Sequence, residues 1–343
     1  MTRVNVSVVG VGRWGPNLTR NFYSNPDSFV VSVADKDITR LKLLEPHYPG
    51  IIITESADVI FKDSTVDAVV ICTPTAMHYE LAKKALENNK HVFVEKPLAR
   101  DSKECKELIT LAKKMNKVLF VGHIFLYNAG IQAVRKLIQN GDLGKIFYYQ
   151  ITRTNLGPIR TDVSSLWDLA SHDLAILNYW QNAMPTKVSA LGGRFINPGN
   201  EDTVFATYTF SNNVLANIHV SWLNPKKVRE IVIVGEKKMV VWDDMDLSNP
   251  VRIYDKNVTV DRPESALVDT FAGFRASIHE GDTLLPKIRI NEPLYAECDA
   301  FLKAVRDPSS CITPGEQGLA VVQALEATDR SLRENGKEIP INY

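Results

Sequence analysis

Val4-Asn-Val-Ser-Val-Val9 runs directly into Gly10-Val-Gly-Arg13-Trp14-Gly15, and Pro16 with Asn17 to Phe22 then reads as a helix. An apolar strand, a GxGxxG turn and a helix in this order form the opening of a βαβ unit. The first glycine serves the tight turn, Gly12 lets backbone approach a pyrophosphate, and Gly15 lets helix and strand pack closely. The unpaired N–H groups of the first helical turn, with its partial positive charge, suit phosphate oxygens. Asp35 ends the second apolar run, twenty residues after Gly15. A carboxylate there accepts hydrogen bonds from both hydroxyls of an adenosine ribose and repels a 2′-phosphate. NAD is therefore expected over NADP, although Lys36 and Arg40 are cations close enough to temper that preference.

Outward from this stretch, β-branched runs alternate with helical patterns. Strands are predicted at Val4 to Val9, Phe29 to Ala34, Ile51 to Ile53, Ala68 to Ile71, His91 to Val94 and Val118 to Val121, the pattern of a doubly wound parallel sheet. A helix starts at Ser102, with Cys105, Leu108, Ile109, Leu111 and Ala112 at helical spacing. After Gly122 one helix, near Gly130 to Asn140, precedes a strand-rich stretch from Ile146 to about Val260. Thr203 to Phe210 and Val214 to Trp222 read as a hairpin across Ser211-Asn-Asn213, and Val228 to Val234 with Met239 to Trp242 as another. Helices near Pro293 to Arg306 and Gly315 to Asn335 complete the chain. The expected organisation is a Rossmann domain over residues 1–122 and an α/β domain over 123–343 with a large, mainly antiparallel open sheet.

Composition narrows the function classes. The 343 residues are 45% hydrophobic, enough for a sizeable core, and 40 Lys plus Arg balance 40 Asp plus Glu. Without cationic excess, nucleic acid is not an expected partner. Four cysteines (Cys72, Cys105, Cys298, Cys311) form no CxxC pair and no metal-ligand spacing, which points to a reducing compartment and no metal. Neither a signal peptide nor an apolar run of bilayer length is read, so a cytoplasmic protein with no membrane partner is expected.

Loops at the carboxyl ends of parallel strands line the ligand crevice of such a sheet. Cys72-Thr73-Pro74-Thr75 closes the fourth strand, so Thr73 and Pro74 are expected to border the cofactor, while equally able to serve as a plain helix start. His78, on the next helix, reads first as an exposed helix residue and second as a cofactor neighbour. Glu95-Lys96-Pro97 ends the fifth strand. Taken alone, Lys96 reads as an ordinary surface lysine; its place at a strand's carboxyl end, restrained by the following proline and combined with the other motifs, lets it offer its ammonium to a substrate hydroxyl. In the second half, Asp168 and His172 stand four apart in a helical pattern and share a face, which suits acid–base work and equally suits a structural ion pair. His123, after the last Rossmann strand, fits either a site residue or a packed interior histidine.

The order GxGxxG, acidic end of strand two, Thr73-Pro74, Glu95-Lys96-Pro97 and Asp168-xxx-His172 resembles the Gfo/Idh/MocA family of nicotinamide-dependent oxidoreductases. The resemblance implies cofactor contacts from Gly10, Gly12, Arg13, Trp14, Gly15, Asp35, Thr73, Pro74, His78 and Glu95. It implies Lys96 and His172 as catalytic residues with Asp168 assisting, a Lys96-Pro97 bond that is cis in some members, and an open C-terminal sheet that builds a homodimer or homotetramer. Asn155-Leu-Gly-Pro-Ile-Arg160, leading into Leu166-Trp-Asp168, is similar to the nucleotide-sugar branch, the UDP-N-acetylglucosaminuronate 3-dehydrogenases. Within that branch Asn155 and Arg160 are substrate-side positions, and Arg160 has the fork geometry to clamp a carboxylate or phosphate, while fitting a surface loop arginine equally well. The expected substrate is a sugar or nucleotide sugar oxidised at a secondary hydroxyl. The alternatives are a dehydrogenase of a free sugar, inositol or dihydrodiol, and a non-catalytic dinucleotide-binding regulator.

Overall fold

The computed structural model describes residues 3–196, 198–261 and 275–343. They form two compact units, the first made of the described residues within Met1–Asn128, Asn291–Glu326 and Asn342–Tyr343, the second of those within Ala129–Ile290 and Ala327–Ile341. The first therefore takes back a C-terminal segment that a single boundary near residue 122 does not include.

In the first unit, strands β1 (Val4–Val9), β2 (Ser28–Ala34), β3 (Ile52–Thr54), β4 (Ala68–Ile71), β5 (His91–Glu95) and β6 (Leu119–Gly122) alternate with helices α1 (Gly15–Ser24), α2 (Ile38–Leu44), α3 (Ala57–Lys62), α4 (His78–Glu87) and α5 (Ser102–Lys114). All neighbouring strands pair in parallel, in the order β3-β2-β1-β4-β5-β6. The order reverses between β1 and β4, and that switch point opens the ligand crevice at the carboxyl edge. The strands are Val- and Ile-rich because helices cover both faces: Val6, Val8, Val69, Val70 and Val92 are fully buried.

Two C-terminal helices follow, α8 (Pro293–Arg306) and α9 (Gly315–Arg333), whose residues through Glu326 belong to the first unit. α8 inserts Phe301 among Phe22, Phe93 and Phe120, with ring centroids 6.1, 5.6 and 5.4 Å away. Amphipathic spacing announces that such a helix has a buried face; it carries no information about which sheet receives it. α9 approaches the loop after β5 so closely that a Cβ at Gly318 would lie 2.8 Å from Val121 and 3.1 Å from Leu98.

The second unit holds a nine-stranded sheet. Its elements are α6 (Ala129–Gln139), β7 (Ile146–Leu156), α7 (Ser171–Gln181), β8 (Lys187–Gly193), β9 (Thr203–Thr209), β10 (Leu215–Ser221), β11 (Leu223–Gly235), β12 (Met239–Asp243), β13 (Val251–Asp261), β14 (Arg275–Leu284) and β15 (Ile339–Pro340). The order is β14-β13-β12-β11-β7-β10-β9-β8-β15, antiparallel throughout except for the parallel β7–β10 pair. Both predicted hairpins, β9–β10 and β11–β12, are present. Alternation along β9 and β10 buries Val204, Ala206, Tyr208, Ala216, Ile218 and Val220, and leaves Phe205 and Leu215 on the other face at 51% and 46% exposure.

Truncating the ring at the centre of the first unit tests this packing. Phe301→Ala is expected to destabilise that unit by about 3–5 kcal/mol, read as a lower denaturant midpoint with the fold retained.

Candidate active site

The glycine turn is built by exclusion. Gly10 has φ +101°, and a Cβ there would sit 2.9 Å from the Cys72 carbonyl carbon and the Thr73 methyl; one at Gly15 would overlap the Gly10 carbonyl oxygen. A Cβ at Gly12, by contrast, would meet nothing within 4 Å, so this backbone borders open space. α1 starts there with Pro16 in its first turn, no side-chain cap and no acidic residue, leaving its first amides available to an anion. Arg13 and Trp14 are exposed at this helix start. Asp35 braces the turn: its Oδ2 accepts from Val11 N at 2.5 Å and its Oδ1 from Asp37 N at 2.9 Å. Each oxygen keeps acceptor capacity for a ribose hydroxyl. Arg40 pairs with Asp37 at 3.3 Å, and Lys36 is exposed. The turn and its acid thus fit an NAD dinucleotide.

Thr73 and Pro74 follow β4 and adjoin the glycine turn through Gly10. His78 corrects the reading of an exposed helix residue, being only 1% exposed. Its Nδ1 lies 2.8 Å from the Pro97 carbonyl and its Nε2 2.9 Å from the Thr73 carbonyl. The ring therefore sits between the loop after β4 and the loop after β5, its neutral form donating its single N–H to one of the two carbonyls, and both nitrogens face protein rather than a ligand. Burial, reinforced by the charge of Lys96, lowers its pKa against the pull of the two carbonyls. Single-sequence reasoning missed this because the bridge joins residues 19 positions apart.

Lys96 follows β5 with a cis bond to Pro97, and its N–H donates to Glu95 Oε2 at 3.2 Å. Pro97, Leu98 and Ala99 are buried behind it, which fixes the backbone from which the amine projects. Glu95 is partly buried, and desolvation raises its carboxyl pKa against the opposing charge of Lys96. His123 is buried, with neither ring nitrogen hydrogen-bonded among the described residues; burial and Lys96 push its pKa down to about 3.

The second unit carries the other candidates. Asp168 lies in a π-helical turn, Leu166–Ala170, that passes into α7, where His172 stands in the first turn. The sequence pattern predicted an uninterrupted α-helix; single π turns inside helices recur at functional sites. Arg160 donates from Nη1 to Asp168 Oδ1 at 2.9 Å and holds Asp162 through Nε and Nη2 at 2.9 and 2.6 Å. The fork that sequence reading offered to a substrate anion is thus taken up by two carboxylates here, and Asp168 is held by it. Asn155 bonds the Gly157 carbonyl through Nδ2. Beneath His172, Asp173 and Arg153 form a buried bidentate pair at 2.6–3.1 Å that locks α7 to β7. A charged residue beside His172 was visible in the sequence, but its partner twenty positions away was not. Among the described residues no group of three or more His, Cys, Asp and Glu is gathered to hold a metal ion, and no helix is long and apolar enough to cross a membrane.

Residues 4–123 match the model of the oxidoreductase family with NAD-binding Rossmann fold, and residues 131–241 match the GFO/IDH/MocA C-terminal domain. The chain belongs to the Gfo/Idh/MocA family of oxidoreductases. It is 27% identical to the uncharacterized oxidoreductase YrbE of Bacillus subtilis over 63% of this chain and 66% of that one, so the match spans just under two thirds of that relative's length. It is 24% identical to myo-inositol 2-dehydrogenase of Thermotoga maritima over 96% of this chain and 97% of that protein. It is 27% identical to UDP-N-acetylglucosamine 3-dehydrogenase of Acidithiobacillus ferrooxidans over 76% of each. The fold also matches GenD2 from gentamicin A biosynthesis, solved in complex with NAD, with TM-score 0.82 at 22% identity over 100% of this chain and 97% of that one.

The buried imidazole predicts a pH dependence of stability. Because the folded pKa of His123 lies below its unfolded value of 6.5, the unfolded chain binds the proton more readily, and stability falls as pH drops from 6.5 toward the folded value of about 3. Between pH 6.5 and about 4.5 this group accounts for about 2 kcal/mol. Denaturant unfolding at several pH values should show that slope reduced by a similar amount in His123→Asn.

Proposed function

We propose that this protein is an NAD-dependent dehydrogenase that oxidises a secondary hydroxyl of a sugar to a ketone, or runs the reverse reduction. The observation that carries the reading is the restrained Lys96 at the carboxyl end of β5, in a sheet whose glycine turn and Asp35 fit NAD. When bound, NAD supplies the hydride acceptor at its nicotinamide ring. Lys96 serves as the group that hydrogen-bonds the reacting hydroxyl and handles its proton, with the ring's positive charge favouring the neutral amine. His172 is the second acid–base group, and Asp168, held by Arg160, orients the substrate. Glu95, Thr73, Pro74, Arg13 and Trp14 border the dinucleotide. His78 acts on it only through the loops after β4 and β5 between which it is packed.

A nucleotide sugar oxidised at C3 is the proposed substrate. The supports are the Asn155-to-Asp168 stretch and the similarity to a UDP-N-acetylglucosamine 3-dehydrogenase. The similarity to myo-inositol 2-dehydrogenase over nearly the whole chain favours a second reading, a free polyol. A uridine nucleotide that co-purifies, or that raises the melting temperature where inositols do not, separates them in favour of the first. The exposed face bearing Phe205 and Leu215 supports a homodimer or homotetramer through this sheet, and four free thiols support a reducing, cytoplasmic setting.

Lys96→Ala is expected to keep NAD binding, measured by fluorescence titration, while kcat falls by about 10²–10⁴. Turnover at the native rate in this variant would reject the role assigned to the amine.

A further inference from the structure

α8 runs opposite to the Rossmann strands. Its last residue, Arg306, donates to Asp27 just before β2 begins, whereas Glu292, at its start, takes Arg20 and Asn21 of α1. Moving up the strand from Phe93 to Glu95 and back along the helix from Phe301 to Glu297 therefore leads in one direction, toward the carboxyl edge. The steps match: two strand residues advance about 6.6 Å and four helical residues about 6 Å. Since the Phe93 and Phe301 rings meet edge to face at 5.6 Å, Glu95 and Glu297 stand one step further along the same strand and helix, close enough for the charge of Glu95 to act on Glu297.

Glu297 is fully buried, and neither of its carboxyl oxygens has a hydrogen-bond partner among the described residues. An ionised carboxylate in such a place is costly, and a second charge beside it costs more. Burial first, and the charge of Glu95 second, drive the Glu297 pKa upward. The surrounding titratable and charged groups are Lys96 beyond β5, His123 after β6, Cys72 after β4, Cys298 on α8, Glu292 just before α8 and Arg20 on α1. Of these, Lys96 is the cation that acts on Glu95.

We propose that Glu95 and Glu297 form a carboxyl pair that holds one proton and one negative charge between them behind Lys96, with Glu297 a positioning residue that acts on the amine through Glu95. This rests on the reading of Lys96 as the proton-handling group. Its consequence is a reserve of charge. If Glu95 is neutralised, burial still favours the protonated form of Glu297 but the repulsion added by Glu95 is gone, which lets Glu297 take over a part of the countercharge.

Infrared difference spectra of the intact protein test the pair without reference to catalysis. The expected result is a carboxylic-acid C=O band at neutral pH that titrates only well above the ordinary carboxylate range and loses most of its intensity in Glu297→Gln, the remainder belonging to Glu95. A band unchanged in that variant, or none in the native protein, overturns the proposal. The action on Lys96 is read from the acid limb of kcat/KM for alcohol oxidation. Glu95→Gln should move that limb to lower pH, because the ammonium loses a countercharge. Glu95→Gln/Glu297→Gln should move it about half a unit further or more. Equal shifts in the single and double variants overturn the shared charge. If Lys96→Ala retains turnover, the role of the amine fails while the infrared result still decides the pair.

Discussion

The close approach of backbone at the β1–β4 switch point is the constraint on which the first unit depends. Gly10 sits against Cys72 and Thr73, and Gly15 against Gly10, at distances that exclude a Cβ from both positions. That contact turns the chain sharply enough for α1 to start at the carboxyl edge with its amides uncapped, and it brings Val11 N–H onto Asp35. The NAD-binding character of the unit follows from a steric requirement met by two missing side chains and a carboxylate that closes the turn.

From this edge the remaining loops are secured in sequence. His78 packs between the carbonyls of Thr73 and Pro97, Leu98 is pressed against α9, and Lys96 is left projecting from backbone buried on its far side. Behind it lies a set of titratable groups that the protein interior holds away from their usual charge: His78 and His123 toward neutral, Glu95 and Glu297 toward protonated. A lysine amid groups kept near neutrality by desolvation is governed by the few charges that remain, which is the setting in which one carboxylate carries weight.

In the second unit the corresponding anchor is the Arg153–Asp173 pair. Its charges are removed from water, so its value lies in fixed geometry: breaking either partner leaves an uncompensated charge, and the bidentate fork allows one orientation of α7 on β7. The π turn lies immediately before α7, and Arg160 holds Asp168 within it.

Local pattern in the sequence was enough to read the strand–glycine–helix opening, the six parallel strands within a residue or two and the hairpins of the second sheet, and to single out Asp35, Lys96, Asp168 and His172 as candidates. These are written in local chemistry: side-chain period, turn residues and short spacings that act over a few positions. Folding in three dimensions adds that α8 returns to the first sheet, that His78 is buried between two loops, that Arg160 holds Asp168, and that Glu297 is buried within reach of the charge of Glu95. Each of these joins residues whose local patterns are ordinary, an amphipathic helix, a histidine, a loop arginine, a glutamate. The partner is chosen by packing across long sequence separations, which no local period encodes.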